Sequence, residues 1–95
     1  MIGSVKVEGN LVIIYDENGN YKAQCSGSGE LKGYSSSIVV RQEGSLVFIY
    51  DENGNYKAQC SGNGDVIAVV GNLINRKEGN LTLVYDENGQ YKHQL

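Results

Sequence analysis

Two residue types that could contact a ligand recur in this sequence at a fixed spacing. A tyrosine and, seven residues later, a lysine return every 35 residues. They form the first-tyrosine row (Tyr15, Tyr50 and Tyr85) and the lysine row (Lys22, Lys57 and Lys92). A tyrosine ring offers an apolar surface with a polar tip, and ammonium groups attract anions. The two rows therefore predict up to three equivalent contact points for a sugar or an anionic partner.

The lysine row also has a simpler interpretation as part of a solvated face. Most acidic residues lie at predicted turns and most basic residues in predicted strands. Charged side chains are normally exposed to water, whatever their function. We take the solvated face as the first interpretation and an anionic partner as the alternative.

Other kinds of site find little support in the sequence. Cys25 and Cys60 occupy equivalent positions and His93 is the only histidine, so no nucleophile is paired with a base. The segment Asp16–Gly19 offers oxygen ligands, but its glycine stands fourth and no glutamate follows at the twelfth position of an EF-hand loop. We therefore expect a protein that is not an enzyme and holds no metal or cofactor.

Composition favours one small domain. The 95 residues, 40% apolar and 20% charged, predict a single domain over residues 1–95. The net charge of −3 gives no footprint for nucleic acid. The N-terminal MIGSVKVEGN lacks the regions of a signal peptide, and no apolar run is long enough to span a membrane. We expect no membrane partner, and we favour the cytoplasm.

The chain repeats one phrase three times. YDENGNYKAQCSG occupies Tyr15–Gly27 and Tyr50–Gly62, and YDENGQYKHQ occupies Tyr85–Gln94. The repeat divides the chain into units of about 35 residues, at 3–37, 38–72 and 73–95, of which the third is shorter.

Each phrase contains a predicted hairpin turn. Asp16 suits the first position because its side chain can accept backbone hydrogen bonds, and Gly19 suits a left-handed conformation. This predicts a three-residue loop with Tyr15 opposite Tyr21. Strand alternation then predicts one inner face per hairpin. The predicted inner faces are Leu11, Ile13, Tyr15, Tyr21, Ala23 and Cys25; Leu46, Phe48, Tyr50, Tyr56, Ala58 and Cys60; and Leu81, Leu83, Tyr85, Tyr91, His93 and Leu95.

Further strands are predicted beside the hairpins, and no helix is expected. They lie upstream at Ser4–Val7, Ile38–Gln42 and Leu73–Arg76, and downstream at Glu30–Tyr34 and Asp65–Val70 after the Gly-rich turns SGSG and SGNG. We predict an all-β fold of antiparallel hairpins in three repeats around one shared core. Pseudo-threefold symmetry would make it a β-prism, a trefoil-like arrangement or a small barrel.

The opposite hairpin faces predict a covering surface. They carry Val12, Ile14, Val47, Ile49 and Val84, which are too apolar to be fully solvated. Another sheet of the chain or another subunit should cover them. A third unit without its downstream strand would also leave an open edge, and open edges pair with other chains. We predict a non-enzymatic structural or protein-interaction module that forms a homo-oligomer.

Two phrases resemble repeats of known families. YDENGN resembles the YD-type hairpin repeats of large bacterial toxin shells. EGNLVIIY and EGNLTLVY resemble the repeats of monocot mannose-binding lectins, which fold as a threefold β-prism with one sugar site per unit. Of that family's motif, Gln-x-Asp-x-Asn-x-Val-x-Tyr, Gln42 is the only matching glutamine and the aspartate is missing. The resemblance implies a lectin-like carbohydrate-binding protein as the alternative function; we assign the chain to neither family.

Overall fold

The computed structural model describes residues 1–26, 29–61 and 64–95, and these residues form strands and turns without a helix. The strands are β1 (Ile2–Glu8), β2 (Leu11–Asp16), β3 (Tyr21–Ser26), β4 (Glu30–Tyr34), β5 (Ile38–Glu43), β6 (Leu46–Asp51), β7 (Tyr56–Ser61), β8 (Asp65–Val70), β9 (Leu73–Glu78), β10 (Leu81–Asp86) and β11 (Tyr91–Gln94). The all-β prediction and the predicted flanking strands are confirmed. The predicted turns SGSG and SGNG include residues 27–28 and 62–63, which lie outside the described residues.

The strands form three antiparallel sheets. Sheet 1 has the order β1-β2-β3, sheet 2 the order β4-β5-β6-β7, and sheet 3 the order β8-β9-β10-β11. The strand after each hairpin pairs with the strand that follows it, so β4 joins sheet 2 and β8 joins sheet 3. Sheets 2 and 3 therefore each cross a predicted unit boundary. The sheet with three described strands is the first, not the last.

The hairpin turns have the predicted geometry. The Asp16 amide donates to the Asn20 carbonyl at 2.9 Å, and the Gly19 amide donates to the Asp16 carbonyl at 3.0 Å. The Asp16 carboxylate accepts from the Asn18 and Asn20 amides, both at 2.9 Å. Gly19 has φ 82°, which favours glycine. The turns that follow Asp51 and Asp86 repeat these hydrogen bonds.

A second irregularity in each hairpin overturns the predicted inner faces. Tyr15 lies opposite Tyr21 as predicted, but the register then shifts, so that Ile14 lies opposite Ala23 and Lys22 has no partner in the ladder. Such an extra residue moves the rest of the strand to the other face. Ala23 and Cys25 thus share a face with Val12 and Ile14 instead of Ile13 and Tyr15. The same shift recurs at Lys57 and at Lys92.

Two apolar clusters join the sheets. The cluster between sheets 1 and 2 contains Ile2, Val12, Ile14, Cys25, Val39 and Tyr50. The cluster between sheets 2 and 3 contains Ile38, Val40, Val47, Ile49, Cys60, Val66 and Ile74. Sheet 2 contributes to both, so it is packed on its two faces and lies between its neighbours. The prediction of one shared core is wrong, because the faces that carry Val12 and Val47 are each covered by the next sheet. A cover of that kind was one of the two predicted.

Sheets 2 and 3 approach each other most closely at their first strands. Between sheets 2 and 3, β4 and β8 form the closest pair of strands. Gly33 makes this approach feasible, since a Cβ at that position would lie 3.0 Å from Cγ2 of Val69. The described strands form no closed barrel, and neither a prism nor a trefoil arrangement is confirmed.

Candidate functional site

The strand β1 is far less covered than its repeat equivalent β5. Five of the six residues of β5 are buried, whereas Ile2 is the only buried residue of β1. In sheet 2, β4 pairs with the outer edge of β5, and in sheet 3, β8 pairs with β9 in the same way. No described strand takes this place beside β1. The outer edge of β1 therefore presents backbone groups that the other two sheets use for strand pairing.

Two side chains of β4 are placed to contact a strand that paired with the outer edge of β1. Leu31 and Tyr34 of sheet 2 are the repeat equivalents of Val66 and Val69 of sheet 3. Val66 is 5% exposed, whereas Tyr34 is 40% exposed. Leu31 and Val69 are both half-buried and pack against the first and the second cluster respectively. We call the outer edge of β1 (residues 4–7), together with Leu31 and Tyr34, the β1 edge site.

Gln42 of β5 links sheet 2 to sheet 3 by hydrogen bonds. The Gln42 side chain donates to the Gly64 carbonyl at 3.1 Å and accepts from the Val66 amide at 3.0 Å. Gln42 is 6% exposed, whereas its equivalent in β1, Val7, is 49% exposed. Valine cannot make these hydrogen bonds, so this link is specific to sheets 2 and 3.

A buried arginine lies at the interface between sheets 1 and 2. Arg41 Nε and Nη2 donate to the Tyr50 hydroxyl at 3.2 and 2.9 Å, and Nη1 donates to Glu43 at 2.9 Å. The guanidinium also lies 4.4 Å from the Phe48 ring centroid. Burial acts to lower the pKa of Arg41, but the hydrogen bonds to Tyr50 and Glu43 raise it above its ordinary value.

The equivalent arginine between sheets 2 and 3 has different partners. Arg76 Nε donates to the Gly64 carbonyl at 3.1 Å and Nη2 to the Ser45 carbonyl at 3.5 Å. Its guanidinium lies 5.8 Å from the Tyr85 ring centroid. Nη1 has no hydrogen-bond partner within the described part of the chain.

The two cysteines are buried free thiols. Burial raises the pKa of Cys25 and of Cys60, and the charges of Arg41 and Arg76 respectively act in the opposite direction. A raised pKa keeps a thiol protonated at neutral pH, which makes it a poor nucleophile. Their role in the structure is packing between the sheets.

The structure separates the first-tyrosine row that we predicted as ligand contacts. Tyr50 is 7% exposed and belongs to the first cluster, while Tyr15 and Tyr85 are half-buried. Tyr85 packs against the second cluster. The Tyr50 hydroxyl accepts hydrogen bonds from Arg41, and the side chain is buried, so its ring offers little surface to a ligand.

The lysine row links neighbouring sheets. Lys22 Nζ lies 3.3 Å from Glu52 of sheet 2, and Lys57 Nζ lies 3.8 Å from Glu87 of sheet 3. Lys92 is exposed and has no ion pair with any residue that the structure describes. Lys57 and Lys92 are exposed and Lys22 is half-buried. Ligand binding by this row and its interpretation as a solvated face both stay predictions.

A second set of tyrosines is exposed instead of buried. Tyr21, Tyr56 and Tyr91 form the second-tyrosine row, and each has more than half of its surface exposed. Two of the rings meet the first row edge-on, with centroids 6.2 Å apart for Tyr56 and Tyr50 and 5.9 Å apart for Tyr91 and Tyr85. Sequence reasoning placed this row in the core because it did not include the shift at the lysine row.

A polar cleft of about 370 Å³ opens beside β4 and β5. Its lining residues are Gly29, Glu30, Lys32, Gln42, Glu43, Gly44 and Asp65. Lys32 lies 2.6 Å from Glu30, and the hydrogen bond between them lowers the pKa of Glu30 and raises that of Lys32. Gln42 donates to Asp65 at 3.2 Å. These groups mainly satisfy one another, and the described residues include no group of three or more metal-ligating side chains.

No protein-family model, curated protein or solved structure matches this chain. The described residues also contain no helix of the length and apolarity needed to cross a membrane. The β1 edge site is therefore considered on its geometry alone.

Proposed function

We propose that this chain is a non-enzymatic protein-interaction module that acts through the β1 edge site. One observation carries the proposal: sheet 1 has no described strand where β4 and β8 complete the other two sheets. An unpaired backbone edge is a template for pairing with another chain. Leu31 and Tyr34 supply the apolar contact that a paired strand would cover.

Self-association is the simplest use of such an edge. Two copies can pair their β1 strands antiparallel across a twofold axis, so that each edge covers the other. We expect sedimentation velocity to show a reversible dimer as the concentration rises from micromolar to millimolar. Val7→Lys should weaken it, because a lysine on an edge strand opposes pairing. Val70→Lys, at an exposed position of β8, is the matched control and should leave the dimer unchanged. A monomer throughout this range contradicts self-association.

We also infer that the three sheets are blade-like units of an open, propeller-like stack. Each sheet is an antiparallel meander, neighbouring sheets share apolar clusters, and the first strands of sheets 2 and 3 lie closest to each other. Sheets 2 and 3 also have the four strands of a propeller blade. This arrangement replaces the pseudo-threefold prism and trefoil as our proposal for the repeat architecture. A crystal structure tests it, and direct packing of sheet 1 on sheet 3 would contradict it.

Carbohydrate binding is a second candidate, favoured by the second-tyrosine row. Three exposed aromatic rings at equivalent positions are suited to stacking on sugar rings. The Tyr56 hydroxyl donates to Gln59 at 3.2 Å, which places an amide beside one ring. A glycan array with the triple Tyr→Ala variant of this row tests the hypothesis. The triple variant of the first-tyrosine row is unsuitable, because Tyr50 belongs to the core. No binding at millimolar sugar would exclude this candidate.

A further inference from the structure

The two complete sheets show which kind of strand fits beside β1. The inner strands β4 and β8 begin Glu-Leu-Lys-Gly-Tyr and Asp-Val-Ile-Ala-Val. Both follow a glycine and share the pattern acidic, aliphatic, any residue, small, apolar. In both strands the register shifts at the third position, so that this residue adds no pair to the ladder.

The pairing of β4 with β5 sets the register for a strand beside β1. Leu31 lies opposite Arg41, Gly33 opposite Val40, and Tyr34 opposite Val39. The equivalents of these three β5 residues in β1 are Lys6, Val5 and Ser4. An incoming segment would therefore place its small residue opposite Val5, on the face toward sheet 2. Its aliphatic and apolar residues would lie opposite Lys6 and Ser4, on the other face, just as Leu31 of β4 faces the cluster between sheets 1 and 2.

Packing against β4 explains the small residue. In sheet 2 this residue is Gly33, which faces Val69 of the next sheet. The residue at the position of Val69 in sheet 2 is Tyr34. Tyrosine is bulkier than valine, so a segment above Tyr34 needs a small residue at that point, and glycine most of all.

The outer face of sheet 3 is a less suitable docking surface. At the positions where sheet 2 packs Val40, Val47 and Ala58 against sheet 3, sheet 3 itself carries the polar residues Asn75, Thr82 and His93. Terminal units of repeat proteins carry such polar outer faces. These substitutions disfavour stacking of a second copy on sheet 3, whereas the β1 edge site keeps the apolar side chains of Leu31 and Tyr34.

We propose that the β1 edge site binds an extended peptide segment that places a small residue, glycine most of all, opposite Val5. The segment adds to sheet 1 as an antiparallel strand and covers Leu31 and Tyr34. Main-chain hydrogen bonds give affinity in this mode, and the side-chain contacts give specificity. The inference rests on the proposed interaction function and names the partner of the same site.

The peptide GELKGYSS, copied from residues 29–36, is the probe. Its labelled form should show saturable binding to the full chain by fluorescence anisotropy. The matched control GELKVYSS replaces the small residue with valine and should not bind, because valine would clash with Tyr34. Two further peptides carry N-methyl groups on alternate residues. Strand addition predicts that only one of the two loses binding, since alternate amides of an edge strand point to opposite sides.

Two protein variants locate the binding. Tyr34→Ala should weaken binding about tenfold, the effect of losing a well-packed aromatic contact. Tyr56→Ala removes another exposed tyrosine, away from the site, and should leave binding unchanged. Circular dichroism confirms the fold of each variant. The inference is overturned if GELKGYSS shows no saturable binding up to about 1 mM. It is also overturned if GELKVYSS binds, or if both N-methylated peptides bind.

The inference and the proposed function fail in different ways. A chain that dimerises through β1 in a Val7-dependent manner but ignores the peptide overturns the inference and leaves the interaction function standing. A chain that neither self-associates nor binds the peptide contradicts both. Peptide binding by a strict monomer supports both and removes only self-association.

Discussion

The two interfaces between sheets are built from equivalent repeat positions, yet they are covered differently. Between sheets 2 and 3, β8 lies against β4, Val66 is buried, and Gln42 ties the two sheets together. Between sheets 1 and 2 no described strand of sheet 1 takes the position that β4 has in sheet 2, and Leu31 and Tyr34 are partly exposed. The comparison shows that burial depends on the neighbouring strand as well as on the residue type.

The largest expected effect compares two glycines of identical turns. Gly19 and Gly54 have φ of 82° and 81°, but a Cβ on Gly54 would lie 2.4 Å from the Gln24 carbonyl oxygen, whereas one on Gly19 would meet nothing within 4 Å. Gly19→Ala should cost about 1–2 kcal/mol for the left-handed backbone alone. Gly54→Ala should cost about 3 kcal/mol or more, because overpacking adds to it. Urea unfolding measures both, and equal losses would contradict the contact between sheets.

A smaller effect compares Leu31 of the β1 edge site with Val66, its covered repeat equivalent. Val66→Ala should destabilise the chain by about 2 kcal/mol, because it removes fully packed methyl groups. Leu31→Ala deletes a larger side chain but should cost only about 1 kcal/mol, since Leu31 is already half-exposed. Thermal unfolding of the two variants is the measurement. A larger loss of stability for Leu31→Ala than for Val66→Ala would show that the β1 edge site is covered in solution.

The lysine row should give still smaller effects. Lys57→Gln removes the ion pair with Glu87 and should cost about 0.5 kcal/mol, the usual value for an exposed pair. Lys92→Gln is the matched control, because no described residue pairs with Lys92, and its cost should be close to zero. Raising the salt concentration should remove the difference between them. A difference that persists in high salt would point to packing instead of charge.

The smallest expected effect is a pH dependence at the same set of contacts. The pKa of Glu52 is lowered by the amino group of Met1 and by Lys22. A carboxyl whose pKa is lower in the folded state stabilises the fold above its unfolded pKa, and this stabilisation is lost as pH falls through the folded pKa. Glu52→Gln should therefore lose less stability than the parent chain on acidification below pH of about 4.3. Identical acid profiles would contradict the pairing.

The sequence was sufficient for the local structure. Asp16 and Gly19 are explained by one turn type, and the structure shows its hydrogen bonds. The flanking strands also follow from residue type and glycine punctuation. In both cases the decisive interactions lie within a few residues along the chain, so they can be inferred from local sequence.

The faces of the hairpins could not be predicted because of one extra residue. Lys22 is an ordinary strand residue by type, and nothing in its neighbours signals a register shift. The shift leaves Tyr15 opposite Tyr21 but moves Ala23 and Cys25 to the other face, so these residues no longer share a face with the two tyrosines. The pairing of β4 with β5 was also missed, because the 35-residue repeat placed these two strands in different units.

Residue-resolved hydrogen exchange along β1 tests the central claim most directly. The account predicts that, among the amides of residues 4–7, those pointing away from β2 exchange rapidly, while the equivalent amides of β5 and β9 exchange slowly. Adding GELKGYSS should slow the β1 amides alone. Protection of the β1 edge in the free monomer equal to that of β5, or no change on adding the peptide, would contradict the claim that β1 is an open acceptor for one strand.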